Sequence, residues 1–213
     1  MILTYGQLEA TVAAHLRIHP DRVGTLRARI KQLQKLQFPP GVNVGRGAKM
    51  AYSGAHLFQL ISAFELINLG LPAATATGIV TPSWRQFAAG FGRALQNPFG
   101  TRSSDTFIRI MQYSLEDLTG GLDRKGWNSP VYIDDQESLS NDFLLRDDQR
   151  IGHSHIIICA NDVVRSVIVA ADRFSRIPEF VDDKEFKSWI IDYSDENYWV
   201  RAGGAWKADY EVF

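Results

Sequence analysis

The sequence predicts a mainly helical N-terminal domain joined to a small α+β C-terminal domain, and three observations predict it. Over most of the first hundred positions apolar residues recur three and four apart, in segments separated by Pro and Gly. From Asp105 the texture changes to short strand-like runs, "TFIRIMQYS" and "SHIIICA", the second followed by an amphipathic stretch. Charge divides at the same place. Residues 1–102 hold eleven Lys or Arg against three acids (Glu9, Asp21, Glu65), a balance of +8, whereas the remainder holds 12 basic and 21 acidic residues, a balance of −9. The expected division is 1–96, a linker at 97–104 that opens with Asn97-Pro98-Phe99-Gly100-Thr101, and 105–213.

A net charge of −1 therefore hides a polyanion-binding composition in one half beside a half that repels polyanions. With 45% apolar and 11% aromatic residues, a chain of 213 residues can bury a sizeable core. The single cysteine, Cys159, excludes an intramolecular disulfide and suits a reducing compartment. Neither a secretory leader nor about 18 consecutive apolar residues occurs, so the expectation is a soluble, cytoplasmic chain without a membrane partner.

In chain order, Thr4 is a candidate N-cap for a helix striped by Tyr5, Leu8, Val12 and Leu16. After His19-Pro20, Asp21 is the candidate N-cap of a second helix striped by Val23, Leu26, Ile30, Leu33 and Leu36. Away from that stripe lie two rows, Arg22, Thr25, Arg29, Gln32 and Arg27, Lys31, Lys35, and no acid interrupts residues 22–64. A solvated helix normally mixes signs, since like charges one turn apart repel; an all-positive face calls for an anion. Two helices joined by a short turn, the second basic, make a helix-turn-helix. Pro39-Pro40 is expected to stop the second helix, and the glycines of "GVNVGRG" permit a tight hairpin carrying Arg46 and Lys49, a wing toward a duplex. That loop lacks the Gly-Lys-Ser/Thr triplet of a P-loop. Ser53 then caps a helix with Leu57, Leu60, Phe64 and Leu66 to Leu69, ended by Gly70 with Pro72 opening the next. Thr81 and Pro82 are expected to start a further helix striped by Trp84, Phe87, Ala88, Phe91 and Leu95. The partner for its aromatic face is either the domain's own core or a second copy.

Residues of about 3–80 resemble the MerR-type winged helix-turn-helix family. Tyr52-Ser53, Leu57, Leu60, Leu66 and Leu69-Gly70-Leu71 stand where that family has a Tyr-Ser pair, spaced leucines and Leu-Gly-hydrophobic, and Thr25-Leu26-Arg27 resembles the start of its recognition helix. Ala28-Arg29 replaces the family's usual aromatic pair, and His56 replaces a common acid. The resemblance implies binding to double-stranded DNA as a homodimer, to control transcription. Residues Arg22, Thr25 and Arg29 are then expected at base edges or neighbouring phosphates. Arg27, Lys31 and Lys35 are expected at the backbone, with Arg46, Lys49 and Tyr52 completing the DNA-binding set.

In the acidic half the expected elements are strands at "TFIRIMQYS" and "SHIIICA", a helix capped by Asn161 or Asp162, and another near Lys184 to Ile191. Turns fall at Gly120-Gly121, Asn128-Ser129-Pro130 and Gly203-Gly204, and an aromatic tail (Tyr198, Trp199, Trp206, Tyr210, Phe213) follows. His153, His155 and Cys159 are close enough in sequence for a metal or thiol site, but Cys159 falls in an apolar run, where an inert buried thiol is the common case. Asp134-Asp135, Asp147-Asp148 and Asp182-Asp183 read as solvated turns or surface. No catalytic residue, metal or cofactor is assigned. The expected role of this half is dimerisation, effector binding or contact with the transcription machinery. Competing expectations are an architectural, excision or packaging DNA-binding factor of a phage or mobile element, and a protein-interaction module that binds no DNA.

Overall fold

The computed structural model of the chain describes residues 2–42, 51–101, 105–112, 131–144, 154–177, 180 and 184–193. These form mainly helices, with one small antiparallel sheet. The helices of the basic half are α1 (Tyr5–His15), α2 (Val23–Lys35), α3 (Gly54–Asn68), α4 (Ala73–Val80) and α5 (Trp84–Gln96). Then come β1 (Thr106–Gln112), β2 (Val131–Asp135), α6 (Gln136–Leu144), β3 (Ser154–Cys159), α7 (Ala160–Ser175) and α8 (Lys184–Tyr193).

Local signals explain the first three helices. Thr4 and Gln7 form a capping box at α1, and Ser53 with His56 does the same at α3. Each helix closes in the same way, with the next residue but one bonding back across the last turn. The amides of Ile18, Phe38 and Leu71 donate to the carbonyls of Ala13, Leu33 and Leu66 at 2.8, 3.0 and 3.1 Å. The residue between cap and apolar clasp is left-handed in all three: Arg17 (φ 52°), Gln37 (φ 61°) and Gly70 (φ 97°). Only the last is a glycine, so the first two ends carry no composition signal. α2 thus stops at Lys35 by this closure, ahead of Pro39-Pro40, with Phe38 folded into the core.

Four local expectations are corrected. Asp21 does not cap α2; Pro20 pulls the helical entry forward into a 3₁₀ turn, Pro20–Arg22, whose cap is His19. Thr81 is helical (φ −60°, ψ −57°) and closes α4, whereas an N-cap needs extended backbone, so α5 starts at Trp84 after Ser83. α7 begins at Ala160, with Cys159 at its cap. Asn161 is buried instead, its Oδ1 accepting from the Thr106 amide at 2.8 Å and its Nδ2 donating to the Asn97 carbonyl at 3.2 Å. Asp134 and Asp135 are not a solvated turn. Asp134 is buried against Arg109, with Nε to Oδ2 at 2.6 Å, and Asp135 Oδ1 accepts from the Ser138 amide at 2.7 Å to open α6.

The sheet runs β2-β1-β3, antiparallel throughout, pairing Ile108 with Ile133 on one side and Ile158 on the other. One face, carrying Ile108 and Ile110, lies under α5. The approach is close enough that a Cβ at Gly90 would stand 2.7 Å from Ile108 Cγ1. On the opposite face Arg109 lies 4.7 Å above the Tyr132 ring.

One contiguous apolar cluster runs from Leu3 to Trp189 through both stretches of sequence. α1 packs along α7, and α5 packs along α8 as well as on the sheet. Between α1 and α7 the Thr11 and Ser175 hydroxyls meet at 2.6 Å in the interior. The aromatic face of α5 finds its partner in α8: Trp84 meets Trp189 edge-on at 5.6 Å, and Phe91 sits 4.8 Å from Phe58, which in turn contacts Phe186 and Trp189. Beside the expected linker, Arg165 donates to the Pro98 carbonyl at 2.5 Å and to Asp105 at 2.7 Å. Among the described residues no helix is long and apolar enough to cross a membrane.

Candidate nucleic-acid interface

α2 is anchored by Leu26, Ile30 and Leu33, which are 3%, 0% and 1% exposed. Val23 and Gln34 lie at the edge of that anchor, and every other residue of the helix is exposed. At about 100° per residue the outermost strip is Gly24, Ala28, Lys31, Gln32 and Lys35. A Cβ at Gly24 would meet no atom within 4 Å, so internal packing does not require a glycine there. Small residues at the centre of the exposed face let another surface come close to the helix backbone.

The flanks of that strip differ. On the side of α1, Arg27 is engaged by Glu9 through two bonds, Nε to Oε2 and NH2 to Oε1, each 2.7 Å. This fork geometry makes a charge-assisted pair between the two helices. Arg27 thus braces the helix pair in addition to facing solvent, a role the row assignment from sequence did not anticipate; Glu9, the only acid before Asp21, was the available signal. Hydrogen bonding from Arg27 holds the Glu9 carboxyl below its ordinary value of 4.5, and the same pair pushes the guanidinium up. Nearby, burial and then the Glu9 charge raise the Tyr5 hydroxyl to about 12, so it stays neutral. Because the folded value of Glu9 is depressed, the pair's contribution to stability is complete above about pH 4.5 and is lost as pH falls through the lower folded value. Thermal melts of wild type and Glu9→Gln should accordingly differ at pH 7 and converge toward pH 3; a constant gap would assign the effect to packing.

On the side of α3, Arg22, Thr25 and Arg29 border a groove of about 230 Å³ whose other walls are Leu16, Ile18, Leu26, Phe64, Ile67 and Asn68. Sequence reasoning found the three α2 residues but not the α3 wall, which depends on how the helices cross. Lys31 and Lys35 are exposed as expected, whereas Tyr52 is corrected to a core residue. Its backbone bridges to Leu3 (2.7 and 3.2 Å), its hydroxyl accepts from Gln34 Nε2 at 2.8 Å, and burial raises its hydroxyl. Tyr52 therefore fixes the segment entering α3 against α2 and presents nothing to a ligand. Arg46 and Lys49, with the wing, lie outside the described residues.

No family model, curated protein or solved structure matches the chain.

In the acidic half, His155 and Cys159 share a side of β3, about 13 Å apart along the strand, too far to act on one atom. Burial, with Asp162 and Asp105 beside it, pushes the Cys159 thiol up, the reverse of what a nucleophile needs. Its Sγ lies 3.9 Å from Asp105. Among the described residues no three His, Cys, Asp or Glu side chains converge as a metal site. His153, Asp147-Asp148, Asp182-Asp183, the glycine turns and the aromatic tail lie outside the described residues.

Proposed function

We propose that the chain is a double-stranded DNA-binding transcriptional regulator that acts as a homodimer, with α1 and α2 as its helix-turn-helix and α2 as the element that enters the major groove. The observation that carries this reading is the outward face of α2. Lys31, Gln32 and Lys35 are exposed on its outermost strip, and Thr25 and Arg29, with Arg22 just before the helix, are exposed on its α3 flank, while only Leu26, Ile30 and Leu33 are buried as its anchor. Thirteen residues give the helix about 20 Å, and a major groove about 12 Å wide admits it. In this reading Arg22, Thr25 and Arg29 read base edges or adjacent phosphates, and Lys31 and Lys35 contact the backbone. Arg46 and Lys49 serve as the wing. Arg27, already engaged by Glu9, contributes less to DNA than its neighbours.

Fluorescence anisotropy of the whole chain with random duplex over a salt series, followed by selection of preferred sequences, tests the reading. Affinity should fall with log salt at a slope of about −0.9 per neutralised phosphate, and an enriched palindrome is expected from a two-fold dimer. Arg29→Ala should weaken the preferred site by about 1–3 kcal/mol and blur its sequence, whereas Lys35→Ala should weaken all duplexes alike. No binding at low salt, or negligible change from both substitutions, would remove α2 from the role. The whole chain is needed because α1 buries a face on α7.

A further inference from the structure

The groove beside α2 combines apolar walls with a cationic rim. Its walls are mostly apolar: Leu16, Ile18 and Ile67 are half-buried, with Leu26 and Phe64 buried behind them and Asn68 the polar exception. Its rim is cationic, with Arg29 one turn after Thr25 on α2 and Arg22 at the end of the 3₁₀ turn that leads into it. No acidic residue lines it. Of the nearest acids in sequence, Glu65 is engaged by His15 at 2.8 Å, and Asp21, exposed beside Arg22, does not line the groove. Among the described residues neither arginine forms an ion pair.

We infer that this groove binds a small amphipathic carboxylic acid, its apolar body between α2 and α3 and its carboxylate on Arg22 and Arg29. Size and charge select that occupant. A volume of about 230 Å³ is below that of drug-sized pockets and corresponds to roughly eight liquid waters, room for a body on the order of ten non-hydrogen atoms. Guanidinium groups match a carboxylate in a planar, two-point fashion, and the Thr25 hydroxyl between them adds one further donor. An uncharged apolar molecule would leave the rim unanswered, and a bare inorganic anion would leave the walls wet. In the DNA-binding reading, and only there, the acid would also compete with duplex, because both need Arg22 and Arg29.

The experiment is a titration of the whole chain, ¹³C-labelled at Ile and Leu methyls, with 4-phenylbutyrate, and in parallel with 4-phenylbutan-1-ol, which has the same apolar body without the charge. Saturable shifts confined to Leu16, Ile18, Leu26 and Ile67, with Ile110 of the sheet unmoved, are expected for the acid and not for the alcohol. Arg22→Ala and Arg29→Ala should each weaken the acid about tenfold, the order expected for a hydrogen bond to a charged group, with Lys35→Ala unchanged. Both sites are exposed, and an unaltered Ile110 methyl reports that the fold is intact. Absence of shifts at millimolar acid, equal binding of the alcohol, or indifference to both arginine substitutions would overturn the inference. Shifts that follow protein concentration rather than acid would place a second copy in the groove and equally overturn it. A chain that binds the acid but no duplex keeps this site and loses the DNA reading; one that binds duplex without acid-dependent shifts loses this site alone.

Discussion

Phe58→Ala is expected to be the most damaging truncation in the protein, at about 3–5 kcal/mol. The side chain is fully buried on α3 and lies at the centre of the aromatic cluster, with ring centroids 4.8 Å to Phe91, 5.6 Å to Trp189 and 5.7 Å to Phe186. Removing it opens a cavity bordered by α5 and α8 together, and rigid rings cannot collapse into the space as a flexible chain would. For a chain of this size each kcal/mol is worth about 2–4 °C, so the midpoint of thermal unfolding should fall by roughly 6–20 °C. Near-UV circular dichroism from Trp84 and Trp189 should weaken with it. A loss below about 1 kcal/mol would mean that α8 is not seated on Phe58 in solution.

Second in expected size is Gly92→Ala. A Cβ there would stand 2.9 Å from both the carbonyl carbon and the oxygen of Trp189, and 3.1 Å from its Cβ. Two effects oppose each other: alanine gains up to about 1 kcal/mol in helix propensity, and overpacking costs about 1–3 kcal/mol. The obstacle here is backbone, which cannot rotate aside, so overpacking wins and α8 must move off α5. Gly90→Ala provides the comparison, because its Cβ would stand 2.7 Å from Cγ1 of the buried Ile108, a side chain rather than backbone. Urea denaturation should rank Gly92→Ala below Gly90→Ala, and Gly92→Val lower still. A stabilised Gly92→Ala would show that α5 and α8 do not touch there.

Local chemistry made the helices of the basic half legible, because Thr4, Ser53, Gly70 and Pro72 announce their ends by side-chain type alone. Strands β1 and β3 were legible too, since "TFIRIM" and "HIIIC" are apolar runs of β-branched residues. Strand β2 and helix α6 were not. "VYIDDQESL" looks like an acidic turn until Asp134 is neutralised by Arg109, twenty-five positions earlier, and Asp135 is spent on a cap. Nor did any local signal announce the left-handed Arg17 and Gln37, which are held by apolar residues that follow them.

The exposed row on α2 followed from periodicity, but whether a cation there is available depends on neighbours supplied by other helices. Periodicity puts Arg27 and Arg29 in two rows but does not say what each row meets: one arginine meets Glu9 and the other borders a groove. The same limit applied to the division of the chain. Charge and texture change near residue 100, whereas burial follows three-dimensional contact and crosses that point through α1, α5, α7 and α8.

The hydroxyl pair of Thr11 and Ser175 joins positions 164 residues apart in the chain. At about 5–20 residues per second, the face of α1 that carries Thr11 exists on the ribosome for roughly 8–30 s before its partner has been made. Helix α1 is thus made well before its seat on α7, and contacts of such sequence separation slow folding. During that interval the side of α1 that carries Thr11 is open to other chains. A chaperone at the ribosome would meet this protein first in a form with an uncovered α1.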